Sequence, residues 1–180
     1  MEKIETNRLI LREFRESDYD DLFEFLFQLK DDEFEGYPGI TYENGREHLA
    51  YRVGSEEFYA IELKESGRVI GNVYCGIRNS GVREVGYIIN ENHRRKGFGC
   101  EALSALVEDV LEKGAHEIYA RCDPRNIRSW KLLEKAGFER QADLRKYQCF
   151  YTDEHGAPIW KDTFVYAIVK KQESSSHQKT

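Results

Sequence analysis

Glu84 to Ala102 reads EVGYIINENHRRKGFGCEA, and this stretch decides the fold. A β-rich run ends near Asn90, a polar loop follows, and two glycines open a segment with Leu103, Leu106, Val107, Val110 and Leu111 at helical spacing. The first N–H groups of a helix lack internal partners, and the helix dipole adds partial positive charge there. Gly97 and Gly99 let an anion approach the backbone, and Arg94, Arg95 and Lys96 bring three positive charges to the same place. A pyrophosphate suits such a cradle. The G-x-G letters alone also describe an ordinary glycine turn at a helix start.

Working outward, the preceding segments alternate with period two. Strands are predicted over 58–63, 69–77 and 82–89, joined at Ser66-Gly67 and Asn79-Ser80-Gly81, which makes an antiparallel meander. Nearer the N-terminus, 8–14 reads as a strand. Ser17 reads as the N-cap of a helix carrying Leu22, Phe23, Leu26 and Leu29, with Asp20 at its third position. Gly36, Pro38 and Gly39 make 34–40 a loop, and Asn44 caps a second helix through Arg52. Downstream, Gly114 ends the helix opened by the glycines, 118–122 is a strand, and 126–136 is a helix stopped by Gly137. An extended segment from Phe138, a loop at 153–158 and a strand at 163–169 complete the order. The fold class is α/β: a single mixed, largely antiparallel twisted sheet flanked by helices. Residues 1–171 form one domain and 172–180 a disordered tail.

Composition narrows the function. A net charge of −6 disfavours nucleic acid as a partner. No apolar run is long enough to span a membrane, and the charged N-terminus does not read as a secretory signal, so a cytoplasmic protein is expected. Four scattered cysteines and five scattered histidines lack metal-ligand spacing, so no metal site is read. The charge is uneven: ten acids against two bases over 13–35, and eight bases against four acids over 121–146. Two solvated faces explain this, unless a site lies between them.

Gly97 to Ala102 also satisfies G-x-G-x-x-A, and Asp123 at the end of the next strand could serve as its ribose acid, so a small dinucleotide-binding protein is the competing reading. The glycines come seven residues beyond the strand end, a meander precedes them, and only one strand–helix–strand unit follows.

Taken together, these segments resemble the Gcn5-related N-acetyltransferases, and most of all the branch that acetylates ribosomal-protein N-termini (RimJ/RimL-type). The family signature Gln/Arg-x-x-Gly-x-Gly/Ala stands here as Arg94-Arg95-Lys96-Gly97-Phe98-Gly99. A second signature, N-x-x-S/A followed by EKxGF, matches Asn126 to Phe138. The opening ETNRLILREFRESD and the late W-x-D-x-x-x-Y at Trp160 to Tyr166 are also typical of the branch. The two signatures, in order and correctly spaced, are far more specific than either alone.

The resemblance implies a transfer of acetyl from acetyl-CoA to a primary amine by direct attack, without a covalent intermediate on Cys100. The N–H groups from Arg95 through Lys96, Gly97, Phe98 and Gly99 to Cys100 would hold the pyrophosphate. Ile88 and Ile89 would pair with the pantetheine arm beside a strand-splaying bulge, one N–H near Ile89 polarising the thioester carbonyl. Asn126 would bind the pantetheine as well as cap its helix. Ser129, one turn on, would serve the leaving thiolate, with Tyr147 as the alternative. Glu84 would receive the ammonium proton through a water. The acidic first helices would wall a cationic acceptor: a peptide N-terminus, a polyamine or another small amine. Family members often dimerise, so a homodimer is implied, and a degenerate CoA-binding module is the non-enzymatic alternative.

Overall fold

The computed structural model describes residues 2–152 and 154–170. Short apolar alternations separated by tight turns build one half of the sheet. Strands β1 (Ile4–Glu5), β2 (Leu9–Arg12), β3 (Phe58–Leu63), β4 (Val69–Asn79) and β5 (Val82–Ile89) pair in chain order, each antiparallel to the next. A parallel neighbour needs a long crossover. Helix α3 (Phe98–Glu112) supplies it, and β6 (Glu117–Cys122) lies parallel to β5. β7 (Glu139–Thr152) and β8 (Pro158–Val169) form an antiparallel hairpin whose β8 borders β6, giving the order β1-β2-β3-β4-β5-β6-β8-β7.

Alternation along the strands divides the core. Leu9, Leu11, Tyr59 and Ile61 pack with Leu103, Leu106 and Val107 of α3 and Leu133 of α4 (Ile127–Lys135). Ala60, Val69 and Ile88 pack in a second cluster with Leu22, Phe25 and Leu26 of α1 (Tyr19–Phe27) and Leu49 of α2 (Gly45–Arg52). α1 and α3 each turn an apolar stripe to the sheet, one in each cluster, so the mixed sheet is covered on both faces.

Two strand irregularities position the site. The β5–β6 ladder holds three pairs and stops at Glu84↔Tyr119, whereas β5 stays paired to β4 up to Gly71↔Ile89. The two parallel strands therefore diverge into a wedge. Between Ala60↔Asn72 and Glu62↔Val69, β4 advances three residues while β3 advances two. The extra residue is a bulge in β4, one strand away from the place implied at Ile88 and Ile89. A Cβ on Gly71 would lie 2.1 Å from the Ile88 carbonyl oxygen, so only glycine lets β4 and β5 lie this close here.

Several local expectations change. Ser17 lies inside a short 3-10 turn (Glu16–Asp18), and Asp18 takes the capping role by accepting the Arg15 N–H at 2.8 Å. Asp18 also faces the Arg12 guanidinium at 2.7 and 3.0 Å, and a charged partner at that depth outweighs a serine cap. Asn44 precedes α2 without capping it, because its side chain bonds Thr41 and Gly39 of the loop behind. The last strand starts at Pro158 rather than 163, since the hairpin stays paired beyond the core. Asp153 and the expected tail, 172–180, lie outside the described residues.

Candidate active site

The wedge between β5 and β6 opens a cavity of about 400 Å³. One wall is the end of β5: Tyr87, Ile88 and Ile89. The loop and first turn of α3 form the next, with His93, Arg94, Arg95, Gly97, Phe98, Gly99 and Cys100. α4 and its cap supply Asn126, Arg128, Ser129, Lys131, Leu132 and Lys135, and the segment after α1 contributes Leu29, Asp32 and Glu35.

The floor at α3 is built by backbone conformation. Arg95 and Gly97 are both left-handed, at φ 62° and 85°. Alternating left-handed residues turn successive N–H groups toward one point, which makes an anion nest in front of the helix dipole. An L side chain at φ +85° is strained, so Gly97 is required by conformation. A Cβ on Gly99 would meet Leu132 Cδ1 at 2.7 Å and Ile89 Cγ1 at 3.3 Å, so Gly99 is required by packing. Arg8 braces the nest from outside: it donates to the Lys96 carbonyl at 3.1 Å and to Glu101 at 2.7 Å, and stacks over Phe98.

The three cations diverge in role. Arg94 donates to the Ile89 carbonyl at 3.1 Å and pairs with Glu91 at 2.7 Å, fixing the end of β5 against the loop. Lys96 lies off the cavity wall, where its ammonium donates to the Asn92 carbonyl at 2.8 Å. Arg95 lines the cavity, and among the described residues its side chain has no partner.

Asn126 caps α4 by accepting the Ser129 N–H at 3.2 Å and lines the cavity. The Ser129 hydroxyl is not a solvated helix serine. It meets the Tyr87 hydroxyl at 3.0 Å, and Tyr87 also donates to the Ser129 carbonyl at 2.8 Å. Burial holds the Tyr87 phenol well above its ordinary range. Tyr147 projects from β7, about half exposed, and lines neither this cavity nor the smaller one beside it. Among the described residues, Tyr87 is the tyrosine that lines the cavity.

Glu84 stands where the β5–β6 ladder ends, outside both cavity walls. One carboxylate oxygen accepts from Arg121 at 2.6 and 2.8 Å and the other from Arg78 at 2.6 Å. Burial would raise this carboxyl, but the bonds from Arg121 and Arg78 outweigh it and hold Glu84 below its ordinary range. A carboxylate so occupied is a weak proton acceptor and a good pin for the fork of the wedge.

These features (a splayed parallel pair, a glycine nest and an Asn-capped second helix) meet in one cavity, and comparison with known proteins agrees. Residues 8–139 match the family model described as an acetyltransferase (GNAT) domain. The chain belongs to the GNAT acetyltransferase family. It is 27% identical over 172 residues to an uncharacterized N-acetyltransferase, YnaD, of Bacillus subtilis, covering 94% of this chain and 98% of that one. The solved GNAT-family acetyltransferase of Bacillus anthracis superposes with a TM-score of 0.83 at 24% identity, covering 95% and 100% of the two chains. The ribosomal-protein acetyltransferase RimL, solved with coenzyme A, superposes at 0.78 with 19% identity, covering 94% and 98%. The protein is an acetyl-CoA-dependent acetyltransferase. The dinucleotide reading falls with this result: among the described residues one strand pair is parallel, and Asp123 is occupied by Arg125 at 2.8 Å.

The GNAT site holds residues that sequence reading passed over. Arg128, Lys131 and Lys135 line the cavity from one face of α4, and their spacing of three and four was the available signal. Tyr87 was hidden in a strand, and nothing local marked Glu35.

Proposed function

We propose that this enzyme transfers acetyl from acetyl-CoA to a primary amine by direct attack within a ternary complex. The observation that carries this reading is the wedge itself. It presents an unpaired β5 edge that suits an amide-bearing arm, and it ends at an N–H nest that suits a pyrophosphate. The nest of Arg95 to Cys100 holds the diphosphate, with Arg95, Arg128, Lys131 and Lys135 supplying positive charge. Ile88 and Ile89 align the pantetheine, Asn126 donates to it, and the Ile89 N–H polarises the thioester carbonyl. Holding both reactants in one cleft supplies much of the rate. The Tyr87–Ser129 pair, already hydrogen-bonded, delivers a proton to the departing thiolate. All four cysteines are free thiols, which fits a cytoplasmic enzyme. No helix among the described residues is long and apolar enough to cross a membrane.

The test is a thermal-shift titration with acetyl-CoA and with NAD, followed by thiol release across an amine panel. A ligand at about 100 times its Kd stabilises the fold by about 2.7 kcal/mol. A rise with acetyl-CoA alone, and thiol release that depends on an added amine, is the expected result. A rise with NAD alone, or thiol release indifferent to every amine, contradicts it.

A further inference from the structure

We infer that Glu35, on the loop between α1 and α2, is the carboxylate that binds the acceptor's ammonium and takes its proton, and that the smaller cavity beside it seats the rest of the acceptor. This rests on the amine-acetyltransferase reading above.

A second cavity of about 140 Å³ adjoins the first, walled by the end of β6, by β7 and β8, and by Phe34. Two residues line both cavities: Asn126 and Glu35. Glu35 thus stands at the junction, where an acceptor in the small cavity meets a donor in the large one. Glu35 lines both cavities and also keeps surface open to solvent.

Elimination points the same way. Glu84 is held by two arginines. Asp123 pairs with Arg125 at 2.8 Å, and Asp162 accepts from Arg145 and from the Lys146 N–H. Asp32 accepts the N–H groups of Phe34 and Glu35 at 2.8 and 3.0 Å. Among the described residues, none donates to the Glu35 carboxylate and none pairs with it. It is the carboxylate at the junction with its oxygens uncommitted.

The proton balance is then workable. Enclosure, and secondarily the neighbouring Asp32 charge, pushes the Glu35 carboxyl up to about 7. An alkyl ammonium near 10 and an ordinary carboxyl near 4 are about six pH units apart, and Glu35 halves that gap. The ammonium gives one proton to a Glu35 oxygen. Its lone pair forms the C–N bond to the thioester carbonyl carbon, and the C–S bond breaks with its electron pair on sulfur. The thiolate gains a proton from Tyr87–Ser129, the second amine proton leaves the new amide nitrogen through water to replace it, and Glu35 returns its own to solvent. The groups that can tune this titration are Asp32 and Tyr37 on its own loop, Tyr87 on β5, Arg121 and Cys122 on β6 with Asp123 just after it, Arg128 on α4, and Lys161 and Asp162 on β8.

The experiment measures kcat/KM for thiol release from pH 5.5 to 9.5, with a peptide bearing a free N-terminus, spermidine and an aminoglycoside as acceptors. Glu35→Gln should lose roughly 100-fold or more in kcat/KM. It should also lose the acid limb near neutral pH and keep the acetyl-CoA Kd within about twofold of the parent. Its Tm should match the parent at pH 5 and equal or exceed it at pH 8, because the parent carries an ill-solvated charge only above its own pKa. Glu35→Asp should recover part of the rate and keep an acid limb. A Glu35→Gln enzyme within about threefold of the parent with the same limb would refute the role of Glu35 alone. Wild-type protein that binds acetyl-CoA but acetylates none of these amines would refute the amine reading and Glu35 with it.

Discussion

Glu84 shows how a residue type can be read correctly as charged, and its task differently once its neighbours are known. In sequence it is an acid leading into the cofactor loop. In the fold its two oxygens are divided between Arg78 and Arg121, one from each side of the point where β5 and β6 part. Glu84→Gln should therefore cost about 1–3 kcal/mol, the scale of losing charged hydrogen bonds to a buried group. The cost should appear as a lower Tm, with the acid limb of the rate profile left in place; a displaced limb would restore Glu84 to the proton path. The sign with pH follows from its depressed pKa: its contribution is complete above the unfolded value near 4.5 and fades as pH falls through the lower folded value. Gly97 gives the complementary case, since its φ of 85° is set by the nest, and a Cβ there would meet only the end of the Arg8 side chain, at 3.3 Å. Gly97→Ala should destabilise by about 1–2 kcal/mol. In calorimetry it should also weaken acetyl-CoA binding; unchanged affinity would mean that the nest tolerates a shifted N–H.

At the scale of elements, what was legible was local. Helix stops depend on a few adjacent residues: Phe138 N–H reaches back to the Leu133 carbonyl beyond Gly137, and the buried Phe138 closes the cap, so the EKxGF letters read true. The cofactor loop is equally local. Glu35 is not, because it reaches Asn126 only after the sheet has formed, and no periodicity links the two positions. The β7–β8 hairpin ran longer than expected for a related reason. Its outer part lies beyond the core, where Tyr147, Ile159 and Trp160 are exposed, and cross-strand ties such as Arg145 to Asp162 help hold it, so burial periodicity does not mark its length. α4 shows a periodicity that was visible but unassigned: Arg128, Lys131 and Lys135 form one stripe along the cavity. Lys131→Glu should raise the KM for acetyl-CoA several-fold with little change in kcat. The penalty should shrink as salt is added, because exposed charges are screened within about 8–10 Å. A kcat defect without a KM change would place Lys131 outside cofactor binding.

For the whole molecule, the lopsided charge resolves into structure rather than a field. Asp18 serves Arg12, Asp21 and Glu24 hold Arg68, and Glu24 also accepts from Asn90 at the end of β5, so much of the acidic segment fastens α1 to the sheet. Of its described acids, Asp32 and Glu35 reach the cavity. The interrupted ladder has the larger effect. Amides of 85–89 and 120–122 that look into the wedge should exchange with deuterium quickly in the free protein and slow on addition of acetyl-CoA, while those shared with β4 stay protected throughout. Uniform protection in the free protein would show that the wedge closes on its own. A strand edge without a partner pairs with whatever extended chain reaches it. Most sheets keep their edges at the rim. This one carries two inside the molecule, and what fills the gap is what keeps other chains out. On the proposed function acetyl-CoA is that filler, so the free enzyme is expected to be the less soluble form as well as the idle one.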